Sequence, residues 1–110
     1  MALQKYIELD SGVILENAYI RISTIYFYNR IGDNSYVQID VTVHKDLQAR
    51  LDEKPEVTKF THKCSNPAFT NYFSLTALNV ANVNLISQAY NWLKTMSLYS
   101  GAIDIHDSKE

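Results

Sequence analysis

The sequence has 110 residues, of which 46% are hydrophobic and 20% are charged. A chain of this length forms one domain, and this composition is that of a globular protein and not of a disordered one. Ten basic residues against twelve acidic ones leave a net charge of −2. This balance argues against nucleic acid as a partner, because nucleic-acid binding needs clustered lysine and arginine.

Two strands are predicted at the start of the chain. Residues 3–9 form the first, which ends at the turn residues 10–12, and residues 16–28 form the second, with 13–15 as an extension at its start. The alternation of apolar and polar residues blurs near the end of the second strand, where both faces are apolar or aromatic. One face of this strand is expected to carry Ala18, Ile20, Ile22 and Thr24, and the other face Tyr19, Arg21 and Ser23.

Residues 36–44 give the clearest strand pattern. Val37, Ile39, Val41 and Val43 alternate there with polar residues, which predicts a half-buried strand of an antiparallel sheet with one face in water. The preceding residues 31–34 are typical of a turn, so the second and third strands are expected to pair as a hairpin.

The second half of the chain mixes strand and helix patterns. Residues 46–51 fit one helical turn or a solvated loop, and strands are predicted over 56–64 and 70–78, with a break at Ser65-Asn66-Pro67 between them. A helix is predicted over 82–97, capped by Asn82. Its apolar stripe at helical spacing is Leu85, Ile86, Ala89, Tyr90, Leu93 and Met96.

These elements predict an α+β fold. It is mainly an antiparallel β-sheet meander of four to six strands, with one C-terminal α-helix packed on its apolar face. A compact β-sandwich capped by the same helix stays an alternative. Residues 102–105 are expected to form a short closing strand, and 1–110 to form a single domain whose residues 106–110 are a frayed tail.

The residues that carry chemistry do not form a recognisable motif. His44, His62 and His106 lack the spacing of metal ligands, and we interpret them as ordinary surface histidines. Cys64, the one cysteine, excludes an internal disulfide and is interpreted as a buried structural residue. Gly12, Gly32 and Gly101 are too far apart for a phosphate-binding loop. We therefore expect no enzyme activity, no cofactor or metal, and no small-molecule ligand.

The termini and the apolar runs bear on where the protein is found. Charged and apolar residues alternate in the first ten positions, which is unlike a signal peptide. The apolar runs are only a few residues long, so no membrane partner is expected. Synthesis and folding in a reducing cytoplasm are therefore predicted.

Tyrosine is the unusual component of the sequence, which contains eight. Tyr26, Tyr28 and Tyr36 flank the turn of the predicted hairpin, so they are expected to cluster near one end of the sheet. Tyrosine combines a large rigid ring with a polar tip, which suits interfaces. The three residues are our candidate contact patch for a protein or a sugar. Ordinary cross-strand aromatic packing is the alternative.

Both ends of the chain resemble a known group of proteins. The first end is YIELDSGVILENAYIRI, and the second is NLISQAYNWLKTM followed by SGAIDI. These segments resemble small proteins encoded beside the tail and host-recognition genes of siphophages and prophages of Gram-positive bacteria. The residues that carry the resemblance are Gly12, Val13, Glu16, Asn17, Ala18, Tyr19, Ile20, Ala89, Tyr90, Leu93, Lys94 and Thr95.

The resemblance implies a non-enzymatic viral protein. Such a protein would be a minor structural or accessory component of a bacteriophage tail, in the virion or the host cytoplasm, and would contact other tail proteins or copies of itself. A looser analogy of fold extends to the shoulder domains of phage receptor-binding proteins. The alternatives are a phage-encoded cytoplasmic binding module and a protein that contacts cell-wall carbohydrate.

Overall fold

The computed structural model describes residues 2–28, 35–74, 77 and 84–105. The five strands of this part of the chain form one antiparallel sheet in the order β4-β3-β2-β1-β5. The elements in chain order are β1 (Ala2–Glu8), β2 (Ile14–Tyr28), β3 (Tyr36–His44), α1 (Leu47–Leu51), β4 (Thr58–Cys64), α2 (Ala68–Phe73), α3 (Leu85–Leu93) and β5 (Ile103–Ile105).

The predicted α+β class with an antiparallel sheet is confirmed, and so is the pairing of the second and third strands at the centre of the sheet. The five strands lie within one or two residues of their expected bounds, and β3 matches its expected bounds at both ends. β2 and β3 pair from Tyr19↔His44 to Tyr28↔Tyr36. The predicted turn over 31–34 and the tail over 106–110 lie outside the described residues. The alternative of a sandwich is wrong for the described strands, because they form a single sheet.

Two bulges in β2 change which of its residues face the core. The pairing with β1 shifts between Lys5 and Ile7, and the pairing with β3 shifts between Ile22 and Thr24. Each bulge inserts one residue, and side chains alternate with a period of two, so the buried set changes parity. Thr24 was expected on the same face as Ala18, Ile20 and Ile22, but it is exposed on the opposite face of the strand. The residues on the core face are Leu15, Ala18, Ile20, Ile22, Ile25 and Phe27.

In the described part of the chain, three short helices, α1, α2 and α3, take the place of the single C-terminal helix that was expected. The predicted strand over 70–78 is wrong at its start, because residues 68–73 form α2. Phe69 and Phe73 lie four residues apart, so both project from one side of the helix, and both are buried. The aromatic composition of this segment favours a strand locally, but burial of these two rings in the hydrophobic core favours the helix.

α3 is shorter than the predicted helix over 82–97. Asn84 and not Asn82 is its N-cap, and the Asn84 Oδ1 accepts a hydrogen bond from the Ser87 backbone N–H at 2.7 Å. The chain leaves the helix at Lys94 and continues in turns to residue 101. Ile86, expected in the apolar stripe, is exposed, whereas Trp92 is buried in the core.

α1 lies near the face of the sheet opposite the core. Its N-cap is Asp46, whose Oδ1 accepts a hydrogen bond from the Ala49 N–H at 2.8 Å, and the helix contacts β2 and β3. The residues of the opposite face at this end are Tyr19, Thr42 and His44, and all three are buried. The predicted solvated face is thus covered at one end.

Candidate functional site

The histidines and the cysteine do not converge on a chemical site. His62 and Cys64 point from β4 to the core face, paired with Ile39 and Val37, whereas His44 lies on the opposite face of the neighbouring strand. Among residues 2–28, 35–74, 77 and 84–105, no group of three or more His, Cys, Asp and Glu side chains could hold a metal ion. His106 lies outside the described residues.

Cys64 is part of the hydrophobic core, and His62 lies half-buried on the same face of β4. Burial raises the pKa of the Cys64 thiol to about 12, so the thiol is protonated at neutral pH and is a poor nucleophile. The His62 Nε2 lies 2.7 Å from the Tyr99 hydroxyl, and burial lowers the pKa of His62. The interpretation of Cys64 as a buried residue is confirmed, whereas His62, interpreted as a surface histidine, is half-buried on the core face.

His44 is also buried and not a surface residue. Its ring makes an edge contact with Tyr19, with the ring centroids 5.9 Å apart, and its Nδ1 is buried without a hydrogen-bond partner among the described residues. Burial, and secondarily the Arg50 guanidinium, lower the pKa of His44. The alternation of β3 placed His44 on the correct face, but it did not show that α1 covers that face.

The three tyrosines of the predicted contact patch stand together on the open part of that same face. Tyr26 and Tyr28 are two residues apart on β2, and Tyr28 pairs with Tyr36 across the hairpin. The ring centroids of Tyr28 and Tyr36 are 4.5 Å apart, and those of Tyr26 and Tyr28 are 6.5 Å apart, both pairs near parallel. Tyr26 is 44% exposed. We call these residues and Lys63 the tyrosine row.

Lys63 closes one end of the tyrosine row. Its Nζ lies 4.2 Å from the centroid of the Tyr36 ring, a cation–π contact. Because β3 lies between β2 and β4, Tyr28 and Lys63 approach Tyr36 from opposite sides. Both faces of the Tyr36 ring are therefore covered, and one face of Tyr28 is covered closely. A ligand that stacks on a ring face has only the outer face of Tyr26 available in the row.

Hydrogen-bonding side chains lie beside the tyrosine row. Asp40 accepts hydrogen bonds at its Oδ1 from the Thr61 hydroxyl at 3.0 Å and from the Gln38 Nε2 at 3.4 Å. Gln38 pairs directly with Tyr26 on the neighbouring strand. The tyrosine row and these neighbours thus present hydroxyl groups, an ammonium group, an amide and a carboxylate on one sheet surface. Such a mixture of aromatic and polar groups is typical of protein interfaces.

Two open depressions lie at the other end of the sheet. One, of about 520 Å³, is lined by Ile7, Leu9, Phe60 and Leu98 with polar residues of the β1–β2 turn. The other, of about 590 Å³, is lined by residues 13–17, Lys45 and Asp46, and Val57 borders both. Neither depression is enclosed enough to surround a small ligand, but both lie in the size range of ligand pockets.

The sequence identified the tyrosines but missed Lys63. The hairpin pattern alone brings Tyr26, Tyr28 and Tyr36 to one end of the sheet. The position of Lys63 over Tyr36 depends on the register between β3 and β4, in which Gln38 pairs with Lys63. The available signal was a basic residue next to the last position of the predicted strand over 56–64, although its pairing partner was unknown.

Comparisons with known proteins give no relative. No protein-family model matches the chain, no curated protein matches it, and no solved structure matches it. In the described ranges, no helix combines the length and the apolar character that a membrane span requires. The geometry of the sheet surface is therefore the basis on which a function can be inferred.

Proposed function

We propose that this chain is a non-enzymatic binding protein that recognises another protein through the tyrosine row. The observation that carries this proposal is the mutually stacked row of Tyr26, Tyr28 and Tyr36, partly exposed, with the exposed Lys63 at its end. Stacking limits the motion of the rings, so little side-chain entropy remains to be lost when a partner binds. Rigid tyrosines with polar tips are favoured at protein interfaces for this reason.

The arrangement of the rings favours a protein partner over a sugar. Carbohydrate rings lie flat on an open aromatic face, and the contacts within the row leave only the outer face of Tyr26 for such stacking. The outer edges and hydroxyl groups of the row suit hydrogen bonds and apolar contacts to another protein surface. Cell-wall carbohydrate is therefore the weaker alternative for this face.

The resemblance to phage proteins supports a more specific role. We propose that the chain is a minor structural or accessory component of a siphophage tail, in which the partner of the tyrosine row is another tail protein. This role rests on the two terminal segments described above, whereas the binding surface rests on the geometry of the row. The two parts of the proposal can fail separately.

The test combines particle analysis with substitution of the row. Purified particles of a phage that encodes this chain should contain it at a fixed copy number relative to the major tail protein, as measured by quantitative mass spectrometry. Replacing Tyr26, Tyr28 and Tyr36 together by serine should abolish incorporation, while the far-ultraviolet circular dichroism stays that of the folded protein. Tyr6→Ser is the matched control, because Tyr6 is 54% exposed on β1 and lies outside the row.

The outcomes separate the alternatives. A chain that is absent from particles but abundant in infected cells contradicts the structural role and leaves an accessory one. Incorporation of the triple serine variant at the level of the Tyr6→Ser control contradicts the tyrosine row as the binding surface.

A cytoplasmic binding module is the second candidate, and the depressions that meet at Val57 favour it. A ligand bound there at about a hundredfold excess over its dissociation constant would stabilise the fold by about 2.7 kcal/mol. A thermal-shift screen with nucleotides, sugars and metals measures this. A strong hit that Val57→Lys abolishes would favour this candidate over the tail protein.

A further inference from the structure

One stretch of β2 forms a sheet edge in the middle of the strand order. β1 pairs only with the first half of β2, from Ile14 to Ile20. Residues 24–27 pair with β3 on one side, and Ser23 is the bulge residue that the ladder skips; no strand of the described residues pairs with 23–27 on the other side. The Tyr90 hydroxyl accepts the Ile22 N–H at 2.9 Å, so the open edge begins after Ile22. We call residues 23–27 the β2 edge.

The β2 edge lacks the features by which proteins keep sheet edges from pairing. Natural edges are blocked by charged side chains, above all lysine, by proline, or by being very short. The β2 edge reads Ser-Thr-Ile-Tyr-Phe, with no charge, no proline and no glycine. Four of its residues are β-branched or aromatic, which favours strand pairing. Tyr26 and Phe27 are 44% and 42% exposed on its two faces.

The other two edges of the same sheet are blocked. β4 carries the exposed Lys59 and Lys63, and the Lys59 side chain is 68% exposed. β5 is only three residues long and carries Asp104. Protection of two edges and its absence from the third indicate that the β2 edge is covered when the protein functions.

We propose that a second copy of this chain covers the β2 edge, by antiparallel pairing of β2 with β2 of the partner about a twofold axis. An extended strand satisfies the backbone groups of an edge, and an uncharged strand meets its own copy with no like charges opposed. A twofold interface is self-complementary, so one edge supplies both sides.

The side chains indicate the register of this pairing. Residues opposed in an antiparallel pair lie on the same face, so residues of equal parity must meet. With Tyr26 at the twofold axis, Tyr26 faces the partner's Tyr26, and Ile25 faces the partner's Phe27 on the core face. Aromatic residues opposite β-branched or aromatic residues are the stabilising cross-strand pairs. The two sheets then form one continuous sheet.

Sedimentation velocity of the whole chain over a wide concentration series tests the proposal. We expect a monomer that converts to a dimer as the concentration rises. Thr24→Lys adds the missing lysine to the β2 edge outside the tyrosine row, and it should raise the dimer dissociation constant by at least about tenfold. Thr61→Lys is the matched control, because Thr61 is an exposed threonine on the already protected β4, and it should leave the constant unchanged.

A cross-link tests the twofold axis. Directly opposed residues of antiparallel strands have Cα atoms about 4.5–5.5 Å apart, within the range that a disulfide spans. Tyr26→Cys should therefore form a disulfide-linked dimer under mild oxidation, and Tyr6→Cys should not. The native Cys64 does not compete, because it is buried.

Three results would overturn the pairing. They are a monomer at every concentration, equal effects of Thr24→Lys and Thr61→Lys, and a wild-type dimer that Tyr26→Cys does not link. None of them affects the tyrosine row, which is tested by particle incorporation of serine variants. If the protein is a monomer and the β2 edge binds only an extended peptide from a tail protein, then that peptide, and not a second copy, covers the edge.

Discussion

Tyr90 binds the backbone of β2 just beyond the residues that pair with the start of β1, and removing its hydroxyl should have a measurable cost in stability. The Tyr90 hydroxyl accepts the backbone N–H of Ile22 at 2.9 Å in a buried position. Tyr90→Phe keeps the ring in the core and deletes this acceptor. A buried donor left without a partner costs about 1–3 kcal/mol, more than the net value of an ordinary hydrogen bond.

This cost should appear in urea unfolding. The loss is a sizeable part of the roughly 5–15 kcal/mol that stabilises a typical domain. With a urea dependence of about 2 kcal/mol per molar, a loss of about 2 kcal/mol lowers the midpoint by about 1 M. Trp92 is the one tryptophan of the chain and is buried, so its fluorescence reports unfolding. All variants should be compared at one protein concentration, because self-association would shift the midpoint.

The control for Tyr90→Phe is Tyr6→Phe. Tyr6 is 54% exposed, so its hydroxyl can bind water in both the folded and the unfolded state. The free energy of unfolding should therefore change by less than about 0.5 kcal/mol. A Tyr90→Phe variant within that same margin would refute the argument, because the Ile22 N–H would then be satisfied without Tyr90.

Three further predictions concern buried and capping groups. Burial lowers the pKa of His44 and of His62 below 6.5 in the fold, so the unfolded chain binds more protons as the pH falls below about 6.5. The free energy of unfolding should therefore be highest above that pH and decrease toward pH 5, and His44→Gln should weaken this dependence in urea titrations at several pH values. Cys64, whose thiol is buried with its pKa raised to about 12, should not react with an aromatic disulfide reagent until denaturant is added; rapid labelling of the native protein would contradict its burial. Asp46→Ala, which removes the cap of α1, should cost about 1 kcal/mol by thermal denaturation, and Asp52→Ala, at the other end of α1, should cost less.

The strands could be predicted because alternation is a local property of the sequence. The apolar residues of β3 keep a strict period of two, and its bounds follow directly from it. The bulges of β2 could not be predicted in the same way, since they arise from pairing with both neighbouring strands. The blurred alternation after Ser23 was a trace of one bulge, but the pattern alone did not identify its cause.

The helices could not be predicted in this way, because they depend on tertiary contacts. α2 contains aromatic and threonine residues that favour strands locally, and burial of Phe69 and Phe73 in the core decides for the helix. α1 is only five residues long, too short for a period to be read from it. Its placement near His44 and Tyr19 is a tertiary property, so the sequence indicated a solvated face where part of it is buried.

The candidate surface was predictable to the extent that it depends on one hairpin. Tyr26, Tyr28 and Tyr36 come together because consecutive strands pair, whereas Lys63 joins them through the register of a more distant strand. The β2 edge could not be foreseen at all, because it exists only where β1 stops short of its longer neighbour.

The bulge at Ser23 gives this residue a role that does not depend on its side chain. Ser23 is exposed, and its hydroxyl donates only to the Asp40 carbonyl, at 3.1 Å, among the described contacts, so most substitutions there should be tolerated. Deleting the residue should be tolerated as well, because Ile22 and Thr24 would then take successive positions in a regular ladder, with Thr24, Tyr26 and Tyr28 still on the exposed face and Ile25 and Phe27 still on the core face. The bulge can therefore absorb a change of chain length by one residue, so a sequence variant with one residue fewer here would present the same surface on a strand that bends less.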